Sequence, residues 1–470
     1  MSDKAGKTED KAKKPSLYIR TFGCQMNIRD SEYVIGLLLE NGFMLANSIG
    51  EADIVLFNSC SVRKHAEDRL ISNIAELAKL KKKRPDLVIG LIGCTAQNYK
   101  DDILKKLPVL DFSCGPGNEA DLPGIIKDIL DNRCAIVATG KVNEKKPELF
   151  PIYREHAFKA YISISEGCDN YCSYCVVPYV RGRERSRDMK DIVREAQDLA
   201  DRGFKEITLL GQNVNSYKSI AYSVERIRYR KKLNAIRYPL NAKTSDFVNL
   251  LEQLNDIKGI ERIRFMTSHP KDASSELFKA IRDLSKVCEH LHLPLQSGSD
   301  RILRLMNRGY ARNKYLKLVE LYRKYVPGGS ITTDVIVGFP AESEKDFEDT
   351  FNLMKDAQFD GAFTFKYSPR PPAKSINLKD DVPKDVKERR LKTLMDAQCE
   401  ISRIRNELQI GKIAEVLVDC QNEKQPGLLS GRTRTNKITL FDGDKKLIGH
   451  LINVNILSVK PHTLIGRMVE

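Results

Sequence analysis

From Leu17 the chain alternates short, continuous apolar runs with longer stretches whose apolar residues recur at helical spacing. The first runs are Leu17 to Thr21, Ile54 to Phe57 and Val88 to Ile92, and an amphipathic helical pattern follows each. Short apolar runs between helices read as strands covered on both faces, so the alternation predicts a parallel sheet with helices on its two sides. Each of these strands ends beside a cysteine: Cys24, Cys60 and Cys94. From about 96 to 150 the pattern gives helix and short strands. A link containing Lys and Pro, Lys141 to Pro151, then marks an expected boundary.

A second series starts near 155. Its expected strands are Ala160 to Ile164, Glu206 to Leu210, Arg262 to Met266, His290 to Leu293, Thr333 to Val337 and Phe363 to Tyr367. Helical segments such as Asp191 to Ala200, Ser275 to Asp283 and Glu344 to Lys355 lie between them. Six strands in strand–helix alternation predict an open (β/α)6 barrel, whose reactive face lies at the carboxyl ends of the strands. A charged helix is expected from about 385 to 408. After 411, short strands (Ile413 to Val418, Lys437 to Phe441, Leu447 to Ile456) broken by Gly and Asp turns predict a small β-barrel. The fold class expected is therefore α/β, with a disordered tail at 1–15 and a parallel α/β domain at 16–150. The open barrel follows at 151–408 and the small β-barrel at 409–470.

Composition narrows the class. The 470 residues suffice for about three domains. The first 15 or so are almost devoid of apolar side chains, so burial cannot offset the entropy of ordering them. Acids among those residues argue against a mitochondrial presequence. No run of about eighteen apolar residues occurs, and the expectation is a cytoplasmic protein without a membrane partner. A net charge of +15 favours a polyanionic partner such as nucleic acid. Eleven cysteines at long, irregular spacings fit a reducing compartment. Among them Cys114, Cys134, Cys288, Cys399 and Cys420 share no motif and read as core or incidental thiols.

The chemistry concentrates in Gly167-Cys168-Asp169-Asn170-Tyr171-Cys172-Ser173-Tyr174-Cys175, directly after the first strand of the second series. Three thiols four and three residues apart on one loop can meet at one site. That is one ligand short of a closed zinc or iron–sulfur site. A [4Fe–4S] cluster held at three corners would leave one iron open to a small chelating molecule. A zinc site completed by a distant histidine, or unrelated buried thiols, are the other readings. Cys24, Cys60 and Cys94, 36 and 34 residues apart, end successive strands of a parallel sheet. Ligands of such sheets bind outside the carboxyl ends, so the topology predicts a second three-thiolate site there.

The Cys-x3-Cys-x2-Cys loop after a first strand resembles the signature of radical S-adenosylmethionine (SAM) enzymes. In that family the open iron holds the amino acid end of SAM, and one electron splits it into methionine and a 5′-deoxyadenosyl radical. Thr21 to Asn27, Asn58 to Arg63 and Ile92-Gly93-Cys94 resemble the amino-terminal domain of the methylthiotransferases. There the corresponding trio carries an auxiliary [4Fe–4S] cluster. Residues 411–470 are similar to the TRAM domain, an OB-like RNA-binding module. Asn58 to Arg63 and Cys172 to Arg187, with Val176 to Glu184, point to the tRNA-modifying methylthiotransferases.

The resemblance implies two [4Fe–4S] clusters, SAM as cofactor, tRNA as partner, a reductant such as flavodoxin or ferredoxin, and a monomer. The reaction implied is methylthiolation of C2 in N6-isopentenyladenosine beside the anticodon. Threonylcarbamoyl-adenosine, a ribosomal protein aspartate, or a non-catalytic iron–sulfur RNA-binding role are the alternatives. For SAM the resemblance places Gly211, Gln212 and Asn213 near the methionine moiety. It places Gln296 and Ser297 near the ribose, and Asp334 and Gly338 near the adenosine.

Two stretches depart from the family pattern. Pro369-Arg370-Pro371-Pro372-Ala373 stands where the family has Pro-Arg-Pro-Gly-Thr, which weakens any role assigned to that turn. The second is an insert at 217–245 with eight basic residues, one acid and four interleaved tyrosines, a candidate RNA-contacting arm. Arg181, Arg183, Arg185 and Arg187 follow the cysteine loop and suggest phosphate contacts, with pairing to rim acids as the rival reading. Arg432, Arg434 and Lys437 are expected near a strand edge of the small barrel.

Overall fold

The computed structural model describes residues 14–61, 64–140, 153–219 and 245–469, with backbone alone at 64–66. The expected tail up to residue 13, the link 141–152 and most of the basic insert, 220–244, lie outside the described residues. The chain divides into two compact units, Met1–Tyr153 and Arg154–Glu470.

In the first unit six parallel strands run in the order Met44–Leu45, Ser16–Phe22, Ile54–Ser59, Val88–Ile92, Phe112–Cys114 and Ile136–Ala138. Every residue of the central pair, Ile54–Ser59 and Val88–Ile92, is buried. The reason is that helices cover both faces. Leu56, Ile92 and Phe112 meet the helices Gln25–Glu40 and Leu122–Asn132, while Phe57, Ile89 and Leu91 meet Leu70, Ile74 and Leu77 of Lys64–Lys83.

In the second unit six parallel strands follow one another in chain order as two three-stranded sheets: Lys159–Ser163, Glu206–Leu210 and Arg262–Phe265, then His290–His292, Ser330–Val337 and Gly361–Lys366. A single parallel bridge, Ile263 to Val287, lies between the two sheets. This is the open (β/α)6 architecture expected from the alternation. Ile207, Leu209, Ile263, Phe265, Leu291, Ile331 and Val335 join the helix-covered core. The alternate residues, including Glu206, Arg262, Arg264, His290, His292, Thr332 and Asp334, point to the barrel's interior. Five of the helices start at side-chain caps: Asp188, Ser245, Ser274, Ser299 and Ser343 each accept a backbone N–H of the first turn. The charged helix spans Lys384–Glu407.

The small domain is a closed five-stranded barrel in the order Ile413–Gln421, Leu428–Thr433, Ile438–Asp442, Thr463–Val469 and Leu451–Lys460. Two of its strands were not expected from sequence. Leu428–Thr433 and Thr463–Val469 each contain a glycine and polar residues that break the apolar run, and closure of the barrel supplies the pairing that propensity does not.

This barrel closes the amino-terminal end of the (β/α)6 barrel, and the contact engages two of the three basic residues expected near its strand edge. Buried Arg262 donates to the Glu415 carboxylate (2.7 Å) and the Arg432 carbonyl (2.7 Å). Arg264 donates to Glu206 (2.8 Å) and to the carbonyls of Thr433 (2.8 Å) and Arg434 (3.0 Å). Arg434 forks onto Glu289 (2.8 and 2.9 Å), and Lys437 reaches Asp360 (2.8 Å) and Asn406 (2.8 Å). Arg432 donates to Asn436 and lies 3.9 Å from Asp419. Arg434 and Lys437, expected near a strand edge of the small barrel, therefore serve the domain contact through their side chains, whereas the half-exposed Arg432 side chain stays within the small barrel and gives the contact only its carbonyl. The charges of Arg434 and Lys437 are matched by acids that lie far away in sequence, Glu289 and Asp360.

Candidate metal centres

The cysteine loop begins where the strand Lys159–Ser163 ends. Gly167 adopts φ +78°, and a Cβ there would stand 2.1 Å from the Arg183 carbonyl oxygen. Only glycine lets the chain turn there into Cys168, whose N–H donates to the Gly182 carbonyl (3.2 Å). The Cys175 N–H closes a turn onto the Cys172 carbonyl (3.0 Å). Cys168 and Cys172 are buried and Cys175 is half-buried.

A clamp from another part of the chain fixes this loop. The Ser173 N–H and hydroxyl donate to the carbonyls of Met306 (3.0 Å) and Leu305 (2.8 Å). Asn307 Nδ2 donates to the carbonyls of Asn170 (3.2 Å) and Tyr171 (3.0 Å). Arg308 Nη1 donates to Cys172 Sγ (3.2 Å). Sequence reading missed residues 305–308. Their signal was an Asn-Arg-Gly turn closing the short helix Asp300–Leu305, with Asn307 at positive φ.

Burial, and then the neighbouring Cys172, push the Cys175 thiol up to about 12; burial likewise raises Cys168. Burial opposes the charged form of Cys168 and Cys175, and a bound metal would take up that charge, which is the chemistry of a ligand set. Among the described residues no three His, Cys, Asp or Glu side chains converge on a single ion. A cubane cluster takes each thiolate on a different iron, so its ligands need not share one point. The loop fits such a cluster.

The mouth of the barrel holds buried polar atoms that find no hydrogen-bond partner among the described residues: Ser165 Oγ, Gln212 Oε1, Asn213 Oδ1, Ser268 Oγ and His269 Nε2. They follow the first three strands at their carboxyl ends. Orphaned donors and acceptors gathered there fit a polar ligand such as SAM. Gly211 lies against Ser165, whose Oγ would be 2.5 Å from a Cβ at that position. Asn213 Nδ2 donates to Asp272 (2.8 Å). His269 is held at about 2, first by burial and then by the Arg308 charge, so its ring is neutral. Nδ1 accepts the Lys271 N–H (3.2 Å), which leaves the proton on Nε2.

The other expected contacts divide. Gln296 has φ +69°, and its N–H donates to the Asp334 carbonyl (2.8 Å). Asp334 Oδ2 is 3.4 Å from His292 Nε2. The Ser297 hydroxyl is engaged by Thr350 (3.2 Å) and the Ser299 N–H (3.2 Å), which tie it to the helix Glu344–Ala357. The Gly338 N–H donates to buried Glu342 (2.7 Å). Of the four arginines, Arg183 forks onto Asp169 (2.7 and 3.0 Å), Arg187 pairs with Glu195 (2.6 Å) and Arg185 lies 3.6 Å from Glu166. Arg181 is buried. Three of the four thus follow the rim-acid reading rather than the phosphate one.

In the first unit, Cys24, Cys60 and Cys94 follow three adjacent strands. The Cys60 N–H donates to the Phe22 carbonyl (2.9 Å). Asn58 joins the three loops: Nδ2 donates to the Asn27 carbonyl (2.9 Å) and Oδ1 accepts from Asn27 Nδ2 (3.1 Å). Gly93 packs so that a Cβ would be 2.4 Å from the same Oδ1. Cys24 Sγ is 3.4 Å from Asn27 Oδ1. Cys60 and Cys94 are buried and Cys24 is half-buried. Of the cysteines outside the two trios, Cys114 and Cys288 are core thiols, while Cys134 and Cys420 are exposed; none of the eleven is in a disulfide.

Comparison with known proteins places these features. Residues 162–354 match the Radical SAM superfamily, 16–115 the Uncharacterized protein family UPF0004 and 407–469 the TRAM domain. A tRNA-2-methylthio-N(6)-dimethylallyladenosine synthase of Syntrophomonas wolfei is 46% identical over 462 residues, 98% of this chain and 99% of that one. The enzyme of the same name from Thermoanaerobacter pseudethanolicus is 43% identical over 464 residues, 98% of this chain and 94% of that one. Among solved structures, the radical SAM methyltransferase TsrM of Kitasatospora setae, with cobalamin and a [4Fe–4S] cluster bound, aligns at a TM-score of 0.53. It is 12% identical and the alignment covers 77% of this chain and 74% of that one, a likeness of fold alone. The full-length relatives settle the assignment: the chain belongs to the tRNA-2-methylthio-N(6)-dimethylallyladenosine synthase family.

Proposed function

We infer that the chain is a radical SAM tRNA methylthiotransferase that places a methylthio group on C2 of the adenine in N6-isopentenyladenosine. The observation that carries this reading is the match of 41–46% identity over nearly the whole chain to synthases of that name. The C2–H bond is unactivated, so no side-chain base or nucleophile replaces its hydrogen readily. Two [4Fe–4S] clusters and SAM, when bound, supply the radical and the sulfur chemistry. Cys168, Cys172 and Cys175 would hold the cluster that receives SAM; Cys24, Cys60 and Cys94 would hold the second. The unpartnered polar atoms of Ser165, Gln212, Asn213, Ser268 and His269 would orient SAM by hydrogen bonds that water otherwise supplies. His269, neutral, acts there as an N–H donor and not as an acid.

The partner is tRNA, and the electron comes from a flavodoxin- or ferredoxin-type reductant. The enzyme works as a monomer in the cytoplasm; among the described residues no helix is long and apolar enough to cross a membrane.

Nucleoside mass spectrometry tests the reading, on tRNA from a host lacking its own methylthiotransferase and expressing either the intact chain or Cys172→Ala. Methylthio-isopentenyladenosine is expected with the intact chain alone. Persistence of the isopentenyl precursor alongside SAM cleavage by the loaded protein would overturn the substrate and leave the radical chemistry standing.

A further inference from the structure

Arg308 is 5% exposed, and among the described residues no carboxylate forms an ion pair with it. Other buried arginines of the same unit do have one: Arg264 has Glu206, Arg262 has Glu415 and Arg390 has Glu342. A guanidinium stays charged in proteins, and burying that charge without an anion is strongly unfavourable. Its hydrogen bonds show where the anion belongs. Nε donates to the Tyr310 hydroxyl (3.1 Å) and Nη2 to the Pro294 carbonyl (3.1 Å), both neutral acceptors. The remaining contact is Nη1 to Cys172 Sγ at 3.2 Å. Tyr310 is itself anchored on the Leu295 carbonyl (2.7 Å), so the guanidinium plane is fixed from behind and its free edge faces the thiol.

We propose that Arg308 is the counter-cation of the cluster on Cys168, Cys172 and Cys175, donating to the Cys172 sulfur and raising the potential at which that cluster accepts an electron. The proposal rests on the reading that these three cysteines hold the cluster. Reduction adds one negative charge to a cluster already ligated by three thiolates. A fixed cation and an N–H···S bond favour the more negative state. Arg308 is a positioning residue in this scheme: the electron comes from the external reductant, and the guanidinium neither gains nor loses a proton. Asn307 and Ser173 set the distance, since they tie the cysteine loop to the turn that bears Arg308.

An EPR-monitored redox titration of the full chain with both clusters loaded tests this, following the signal that changes when SAM is added. In Arg308→Gln the reduced-to-oxidised ratio of that cluster at a given solution potential should fall about tenfold, a shift of about 59 mV to lower potential for one electron. Arg308→Lys, which keeps the charge, should recover most of it, and the second cluster should not move in either variant. A loaded Gln variant whose SAM-responsive cluster keeps the wild-type potential overturns the proposal. Should the Gln variant fail to take up iron, the unsubstituted protein decides. Arginine labelled with nitrogen-15 in its guanidino group should give a nitrogen coupling in pulsed EPR of the reduced cluster, lost in Arg308→Lys. Absence of that coupling, or its survival in the Lys variant, refutes the assignment. Failure of the ligand reading looks different: Cys172→Ala would then retain the SAM-responsive signal whatever Arg308 does.

Discussion

The two ends of the (β/α)6 barrel are built from the same strands and treat charge in opposite ways. At the amino-terminal end Arg262, Arg264, Arg434 and Lys437 each meet a carboxylate and, apart from Lys437, backbone carbonyls of the facing domain as well. At the carboxyl-terminal end Arg308 meets no carboxylate among the described residues, three thiols crowd one loop, and buried polar atoms lack partners. Satisfied charge welds two domains together, whereas unsatisfied polar groups wait for a ligand. Basic residues alone did not distinguish the two ends. What separated them was whether the buried charge had found its counter-ion, as Arg264 has and Arg308 among the described residues has not.

The largest expected effect breaks the carboxyl-terminal end. Cys172→Ala should abolish release of 5′-deoxyadenosine from SAM and lower the iron content by one cluster. Its far-ultraviolet circular dichroism should stay that of the intact chain, because the clamp bonds to Ser173 and Asn170 do not use the thiol. Iron analysis together with chromatography of the SAM products checks this, and full SAM cleavage by the variant would contradict it.

The next effect breaks the other end. Arg264→Met leaves Glu206 buried without its cation and should cost roughly 3–5 kcal/mol of stability in urea denaturation. The double variant Arg264→Met with Glu206→Leu should regain a good part of that, since both charges are gone. Lys437→Met is milder, because Asp360 keeps Arg405 at 3.4 Å; about 1–3 kcal/mol is expected. Limited proteolysis should cut between the helix Lys384–Glu407 and the small barrel sooner in either single variant. Intact kinetics of cutting would show that the ion pairs do not hold the domains.

Much of this contrast was legible in the sequence, but unevenly. The strands and the two cysteine trios follow from local pattern: Glu206–Leu210 and Ser275–Asp283 have the expected bounds, and the cysteines stand where apolar runs end. Partnership across long separations was not legible. Arg434 reads as a basic residue near a strand edge of the small barrel until Glu289, 145 residues away, is seen to take its charge. Arg187 is silent about Glu195 for a different reason: eight residues separate them, across the start of a helix. Arg308 lies 136 residues from Cys172, and no period or spacing links the two. The strands Leu428–Thr433 and Thr463–Val469 were missed because their stability comes from barrel closure rather than from their own residues.

The smallest effect sharpens the comparison by finding a satisfied charge at the carboxyl-terminal end. Asp346 accepts from the Ser299 hydroxyl (2.5 Å), the Ser343 N–H (2.9 Å) and Arg301, and so fastens the Gln296–Ser299 loop to the start of the helix Glu344–Ala357. Burial alone would raise its carboxyl, but the hydrogen bonds from Arg301, Ser299 and Ser343 hold it well below its ordinary value of 3.8. A carboxyl lowered by folding contributes stability above its unfolded value and loses it as the pH falls through the folded one. Asp346→Asn should therefore cost about 1–2 kcal/mol at pH 7. The gap to the intact chain should stay constant down to about pH 4 and close below it, as the unfolded chain's carboxyl takes up a proton that the native one still refuses. Thermal melts of both proteins across that range test the sign. A gap that stays level into strong acid would mean that the carboxylate's charge is not what fastens the loop. A gap that widens would mean that the folded carboxyl is raised, as its burial alone would make it, and the satisfied charge at this end would have to be withdrawn.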